Sequence, residues 1–121
     1  MSDHDTVYRD VALLVDQDGG KVLRTFRGTW LVGLQGFLDD QDYAVLGVHA
    51  GGDPGVSWAV IRAESGRFVV YRQIYQGSAT IQIFDSFEAT AKVVPARIAE
   101  DAGRTCGLIP PKEYPVEPLD V

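Results

Sequence analysis

Residues 43–84 read YAVLGVHAGGDPGVSWAVIRAESGRFVVYRQIYQGSATIQIF. Four apolar runs, Tyr43–Ala50, Val56–Glu64, Arg67–Tyr75 and Ala79–Phe84, are separated only by Gly51-Gly52-Asp53-Pro54-Gly55, by Ser65-Gly66 and by Gln76-Gly77-Ser78. Connections this short cannot carry a parallel crossover, so the stretch predicts an antiparallel meander. The alternation within the strands is incomplete. Phe68, Val70 and Ile74 share a face with Arg72, while Val69, Tyr71 and Tyr75 share the other with Gln73. A sheet wetted on one side would alternate more cleanly. Both faces therefore call for a cover, from a helix, from the C-terminal tail or from a second protomer.

Working outward, Tyr8–Val15 and Lys21–Gly28 flank the turn Asp16-Gln17-Asp18-Gly19-Gly20 and read as a hairpin. Thr29–Leu34 continues it past an expected bulge at Gly28, and Gln35–Asp42 reads as a loop with at most one helical turn. On the other side, Asp85-Ser86-Phe87-Glu88 is a helix-start signal with Asp85 as N-cap and Glu88 at the third helical position. Phe87, Ala91, Val94, Ile98 and Ala102 follow as one apolar stripe. Pro95 either kinks this helix or opens a second one, and Gly103 suits its C-terminal cap. From Thr105 onward, Pro110, Pro111, Pro115 and Pro118 exclude a helix, while Leu119 and Val121 make the segment apolar for a free linker. The expected organisation is a frayed leader (1–7), a single α+β domain (8–104) and a Pro-rich extended arm (105–121). The domain is a curved antiparallel sheet of five to seven strands carrying one or two C-terminal helices.

The 121 residues are enough for one domain, and a hydrophobic share of 45% can fill its core. A formal net charge of -6 opposes binding to nucleic acid, which needs basic groups to displace counterions, and opposes docking on anionic lipid. The one cysteine, Cys106, cannot close an internal disulfide. The start, Met1-Ser2-Asp3-His4-Asp5, lacks the basic and apolar regions of a signal peptide. A cytoplasmic protein with neither nucleic-acid nor membrane partner is expected.

Familiar catalytic and metal-binding patterns are missing from the chain. Asp16-Gln17-Asp18-Gly19 opens like a calcium loop, but Arg27 stands where the twelfth-position Glu belongs. Asp39-Asp40-Gln41-Asp42 reads as a solvated acidic loop rather than a cation site, and is also the surface an acidic inhibitor of a basic partner would use. Gly55-Val56-Ser57-Trp58-Ala59, with His49 and Asp53 nearby, resembles a nucleophile elbow, yet Ser57 enters a strand instead of a strand-to-helix turn. Two histidines without cysteine partners at ligand spacing make no zinc site. No catalytic residue, metal or cofactor is assigned. The remaining candidates for a binding site in the sheet concavity are Trp58, Arg62, Tyr71 and Arg72, where the arginines would receive a small acidic ligand.

The C-terminus, Glu117-Pro118-Leu119-Asp120-Val121, resembles the closing motif of the EXLDI proteins, small bacterial proteins named for that ending, with Val121 in place of the final Ile. Gly66-Arg67-Phe68-Val69-Val70-Tyr71, Ile83-Phe84-Asp85-Ser86-Phe87-Glu88 and Val94-Pro95-Ala96 extend the resemblance over about residues 66–121. It implies a domain boundary and an important tail, and brings no activity. The tail either docks Leu119 and Val121 into the chain's own core, the favoured reading, or is read by a partner. The functional expectation is a non-catalytic interaction or regulatory module, self-associating as a homodimer through a sheet face or edge. The alternatives are a protein partner of another kind, or a small-ligand binder or enzyme with its site in the concavity.

Overall fold

The computed structural model describes residues 7–38, 41–50, 52 and 54–120, apart from the side chains of 37, 38 and 41–43. Strands β1 (Arg9–Gln17) and β2 (Gly20–Val32) pair antiparallel over the whole of β1, from Arg9 opposite Gly28 to Gln17 opposite Gly20. The Asp18-Gly19 turn between them has φ of 52° and 81°, the left-handed pair that a two-residue hairpin demands. The last part of β2, from Gly28 to Val32, changes neighbour and pairs with β6 (Val56–Ala63). Strands β6, β7 (Phe68–Ile74) and β8 (Ala79–Phe84) form the meander that the short turns require. The sheet order is β1-β2-β6-β7-β8, curled into an antiparallel half-barrel.

The curl depends on a place where backbones nearly touch. A Cβ at Gly28 would lie 2.9 Å from the Arg62 carbonyl oxygen and 2.9 Å from Ile61 Cγ2, with the Phe26 ring at 3.0 Å. Gly28 is thus the corner at which β2 leaves the β1 hairpin and joins β6, an arrangement only glycine fits. The expected bulge lies further on, where the register shifts between Trp30 and Val32.

The loop expected at Gln35–Asp42 is instead strand at residues 35–38 and 41–42. Strands β3 (Leu34–Leu38) and β4 (Gln41–Leu46) form a separate two-stranded hairpin. The chain swings out at Gly33, whose φ of +82° and 2.8 Å clearance to the Leu46 carbonyl oxygen exclude any side chain. It returns as β5 (Val48–His49), which pairs with Ser57 and Trp58 on β6. The run Tyr43–Ala50 is therefore two strands broken at Gly47. The Gln35 amide ties the excursion to β1: its Oε1 accepts from the Ala12 N–H at 2.8 Å and its Nε2 donates to the Ala12 carbonyl at 2.9 Å. That pair of bonds reproduces a β-bridge with a side chain.

Each face of the sheet is covered within the chain. Inside the curl, Val11, Leu13 and Val15 of β1 meet Ala59, Ile61, Val69, Tyr71 and Ala79, with Phe26 and Trp30 packed against them. On the outer face, Val60, Phe68 and Val70 meet Val94, from the turn between the two helices, and Ile98 and Ala102 of the second helix. Helix α1 (Phe87–Ala91) and helix α2 (Ala96–Thr105) divide the apolar stripe between them, with Pro95 at the N-cap of α2. Their caps sit elsewhere than expected. Ser86, not Asp85, caps α1 by accepting from the Ala89 N–H at 3.1 Å, and Asp85 instead pairs with Arg67 at 3.1 Å. Gly107, at φ +82°, ends α2, whereas Gly103 is buried inside it against Ile109 and Phe87. No helix among the described residues is long and apolar enough to cross a membrane.

The arm does not finish the core. Ile109 packs on Gly103, and beyond it Tyr114, Val116 and Leu119 are 70%, 91% and 84% exposed, so the favoured docking of Leu119 on its own chain is overturned. Val121 lies outside the described residues.

One long-range bond holds the half-barrel shut at one end. The Ala79 N–H donates to Asp16 Oδ2 at 2.7 Å, and Lys21 Nζ stands 3.1 Å from the other carboxylate oxygen. The Ala79 bond first, and Lys21 after it, hold the Asp16 carboxyl below the ordinary carboxylate range. A carboxyl with a lowered folded value contributes stability that is complete above its unfolded value, about 3.9, and fades as pH falls through the folded one. In urea titrations across pH, Asp16→Ala should be less stable than the parent at neutral pH, with the gap closing in strong acid. Asp16→Asn, which keeps an acceptor, should lose less at neutral pH. Gly28→Val should cost about 1–3 kcal/mol by overpacking, while Gly20→Ala, with only the Gln17 carbonyl oxygen at 4.0 Å, should change little in the same assay.

Candidate functional site

The structure does not assemble Trp58, Arg62, Tyr71 and Arg72 into one site. Trp58 and Arg72 stand opposite each other on β6 and β7, with the guanidinium carbon 5.7 Å from the indole centroid. Arg62 stands opposite Phe68 and lies 6.0 Å from its ring centre, and its Nε is buried without a hydrogen-bond partner. By the two-residue period, Trp58, Arg62 and Arg72 share the outer face with Val60, Phe68 and Val70, beneath the helices. Tyr71 is on the opposite, inner face, 3% exposed, and its hydroxyl donates to Gln73 Oε1 at 3.4 Å. Burial, with the Asp16 charge second, pushes the Tyr71 phenol up. The expected concavity is packed with aliphatic side chains, so neither arginine faces an open hollow there.

Polar groups collect at the end of the inner face. His49, Ser57 and Gln73 are successive cross-strand neighbours on β5, β6 and β7, and with Gly55, Tyr75 and Gln76 they line a hollow of about 280 Å³. His49 Nδ1 is 2.9 Å from the Val56 carbonyl oxygen, so it carries the proton of the neutral ring and leaves Nε2 as an acceptor. Ser57 stands opposite His49 within a strand and not at an elbow, and Asp53 lies outside the described residues. The acidic run fares similarly: Asp39 and Asp40 lie outside the described residues, as does the side chain of Asp42. Among the described residues, no three His, Cys, Asp or Glu side chains are grouped to hold a metal ion.

The more distinctive feature is the outer edge of β8. Along an antiparallel strand, successive residues send their N–H and C=O groups to opposite sides. The Ala79 N–H points away from β7, because it reaches Asp16 on β1. The same groups of Ile81 and Ile83 must then point outward too, along an edge that ends the sheet order. The two isoleucines also share the inner face with Ala79, and Ile83 is 53% exposed. Away from the Asp16 clasp, a cleft of about 210 Å³ opens, lined by Phe26, Val69, Ile81 and Ile83 and bordered by Arg24 and Arg67. Among the described residues no strand pairs with these ladder groups, and an open strand edge beside an exposed apolar side chain is the kind of feature that can receive a further strand.

Sequence reasoning did not single out Asp16, Ile81 or Ile83. A signal was present: β8 ends the meander and runs straight into Ser86, so no following strand is available to cover it. Compared with known proteins, the chain matches no family model, no curated protein and no solved structure.

Proposed function

We propose that the protein is a non-catalytic interaction module of the cytoplasm that forms a homodimer through the free edge of β8. The observation that carries this reading is the outward-facing main chain of Ile81 and Ile83 beside the half-exposed Ile83 side chain. Both faces of the sheet are covered by the chain itself, which leaves an edge and not a face for self-association. Each ladder hydrogen bond gained there contributes about 1 kcal/mol net, and covering Ile83 adds to it. The likeness of residues 66–121 to the EXLDI proteins brings no activity, so the reading rests on the edge alone.

The hollow lined by His49, Ser57 and Gln73 supports a second reading, a small acidic ligand held by hydroxyl and amide donors with His49 beside it. In that case a panel of small carboxylic acids contains one that raises the Tm, and Gln73→Ala abolishes the shift. A panel without any shift removes this reading.

For the edge, size-exclusion chromatography with light scattering should give twice the chain mass. Ile83→Lys places a charge on the acceptor and should weaken the dimer at least about tenfold, the loss expected from about 1.4 kcal/mol, with the far-UV circular dichroism retained. A parent protein that stays monomeric as concentration rises would defeat the proposal, as would an unaltered dimer in Ile83→Lys.

A further inference from the structure

Resting on the edge reading, we infer that the strand received by β8 is the C-terminal arm of the second copy. Residues 110–120 have no regular secondary structure and are exposed, yet they carry Tyr114, Val116 and Leu119. Apolar side chains on a Pro-rich segment suit strand addition, since proline restricts the backbone and leaves less conformational freedom to be lost.

The prolines select the register. An added antiparallel strand must bring N–H groups to Ile81 and Ile83, two residues apart, so the donor needs two non-proline residues at the same spacing. Placing Val116 opposite Ile81 and Tyr114 opposite Ile83 meets that need. Pro115 then falls opposite Gln82, where the missing N–H would have pointed away from β8. Pro118 falls opposite Ala79, beyond the two positions that need a donor, where Asp16 already holds the Ala79 N–H and the ladder ends. Sliding the arm two residues one way sets Pro118 against Ile81, where a donor is required. Sliding it the other way sets Lys112 beside Ile83.

Side chains agree with the main chain. In this register Tyr114 and Val116 lie on the inner face beside Ile83 and Ile81, at the apolar cleft, and Lys112 comes opposite Asp85. Exchange is reciprocal: each copy has one arm and one edge, and a two-fold axis satisfies both at once.

Cross-linking between chains tests this directly. Full-length chains carrying Ile83→Cys and, separately, Tyr114→Cys are mixed under oxidised glutathione, and the products are mapped by peptide mass. Directly opposite strand residues lie within disulfide reach, so a bridge joining the two introduced thiols, one on each chain, is expected. Without the introduced cysteines, Val116→Pro should weaken the parent dimer at least about tenfold, whereas Pro115→Ala should leave it intact; both positions are exposed, so the fold is not at risk. A bridge formed only within a chain that carries both substitutions would assign the arm to its own edge and overturn the inference. A persistent dimer that lacks the bridge and tolerates Val116→Pro would also overturn it, while leaving self-association through β8 standing. A monomeric parent would remove both.

Discussion

The contact of the Gly28 main chain with β6 is the constraint from which the rest of the architecture follows. Because no side chain stands between β2 and the Ile61–Arg62 segment, β2 can serve two neighbours in succession, β1 along its first part and β6 along its last. The β1–β2 hairpin is thereby carried over the inner face of β6, β7 and β8. Val11, Leu13 and Val15 become the lid of a core whose floor is Ala59, Ile61, Val69 and Tyr71. A flat sheet of the same strands would have left those residues in water, at a cost of roughly 1.5–3 kcal/mol for each large side chain.

The curl also explains why the interior is apolar in the middle and polar at one end. Aliphatic side chains meet where the hairpin crosses the meander, and His49, Ser57 and Gln73 stand past that crossing. Closure is incomplete: β1 and β8 approach each other, and among the described residues they are linked by the one Ala79–Asp16 hydrogen bond. A carboxylate can complete a single backbone position. The remaining outward groups of β8 have no counterpart on β1, and the edge there stays available.

Local signals in the sequence sufficed for the meander, the Asp18-Gly19 hairpin and the helical stripe, since each arises from neighbours within a few residues. The requirement that both faces be covered was equally legible in the mixed alternation of residues 68–75, although the cover proved to be the chain's own hairpin and helices. The β3–β4 hairpin was not legible, because Gln35-Gly36-Phe37-Leu38 lacks strand periodicity and is held partly by a side-chain bridge to Ala12. The four-residue binding site failed on parity. Tyr71 and Arg72 are adjacent in sequence and so cannot face the same side of a sheet. Asp16 carries no local mark of its role, for its partner Ala79 lies 63 residues away.

One edge of β6 is completed by two different strands, β2 along Val60–Ala63 and β5 at Ser57–Trp58. Strands β3 and β4 leave the sheet after Gly33, and the chain comes back at Gly47 to nearly the same place. Apart from the Gln35 bridge to Ala12, such a segment must only return to its starting point, and the entropy of closing a loop grows with the logarithm of its length. The β3–β4 hairpin is therefore the part of this architecture where a change of length disturbs the register of the half-barrel least.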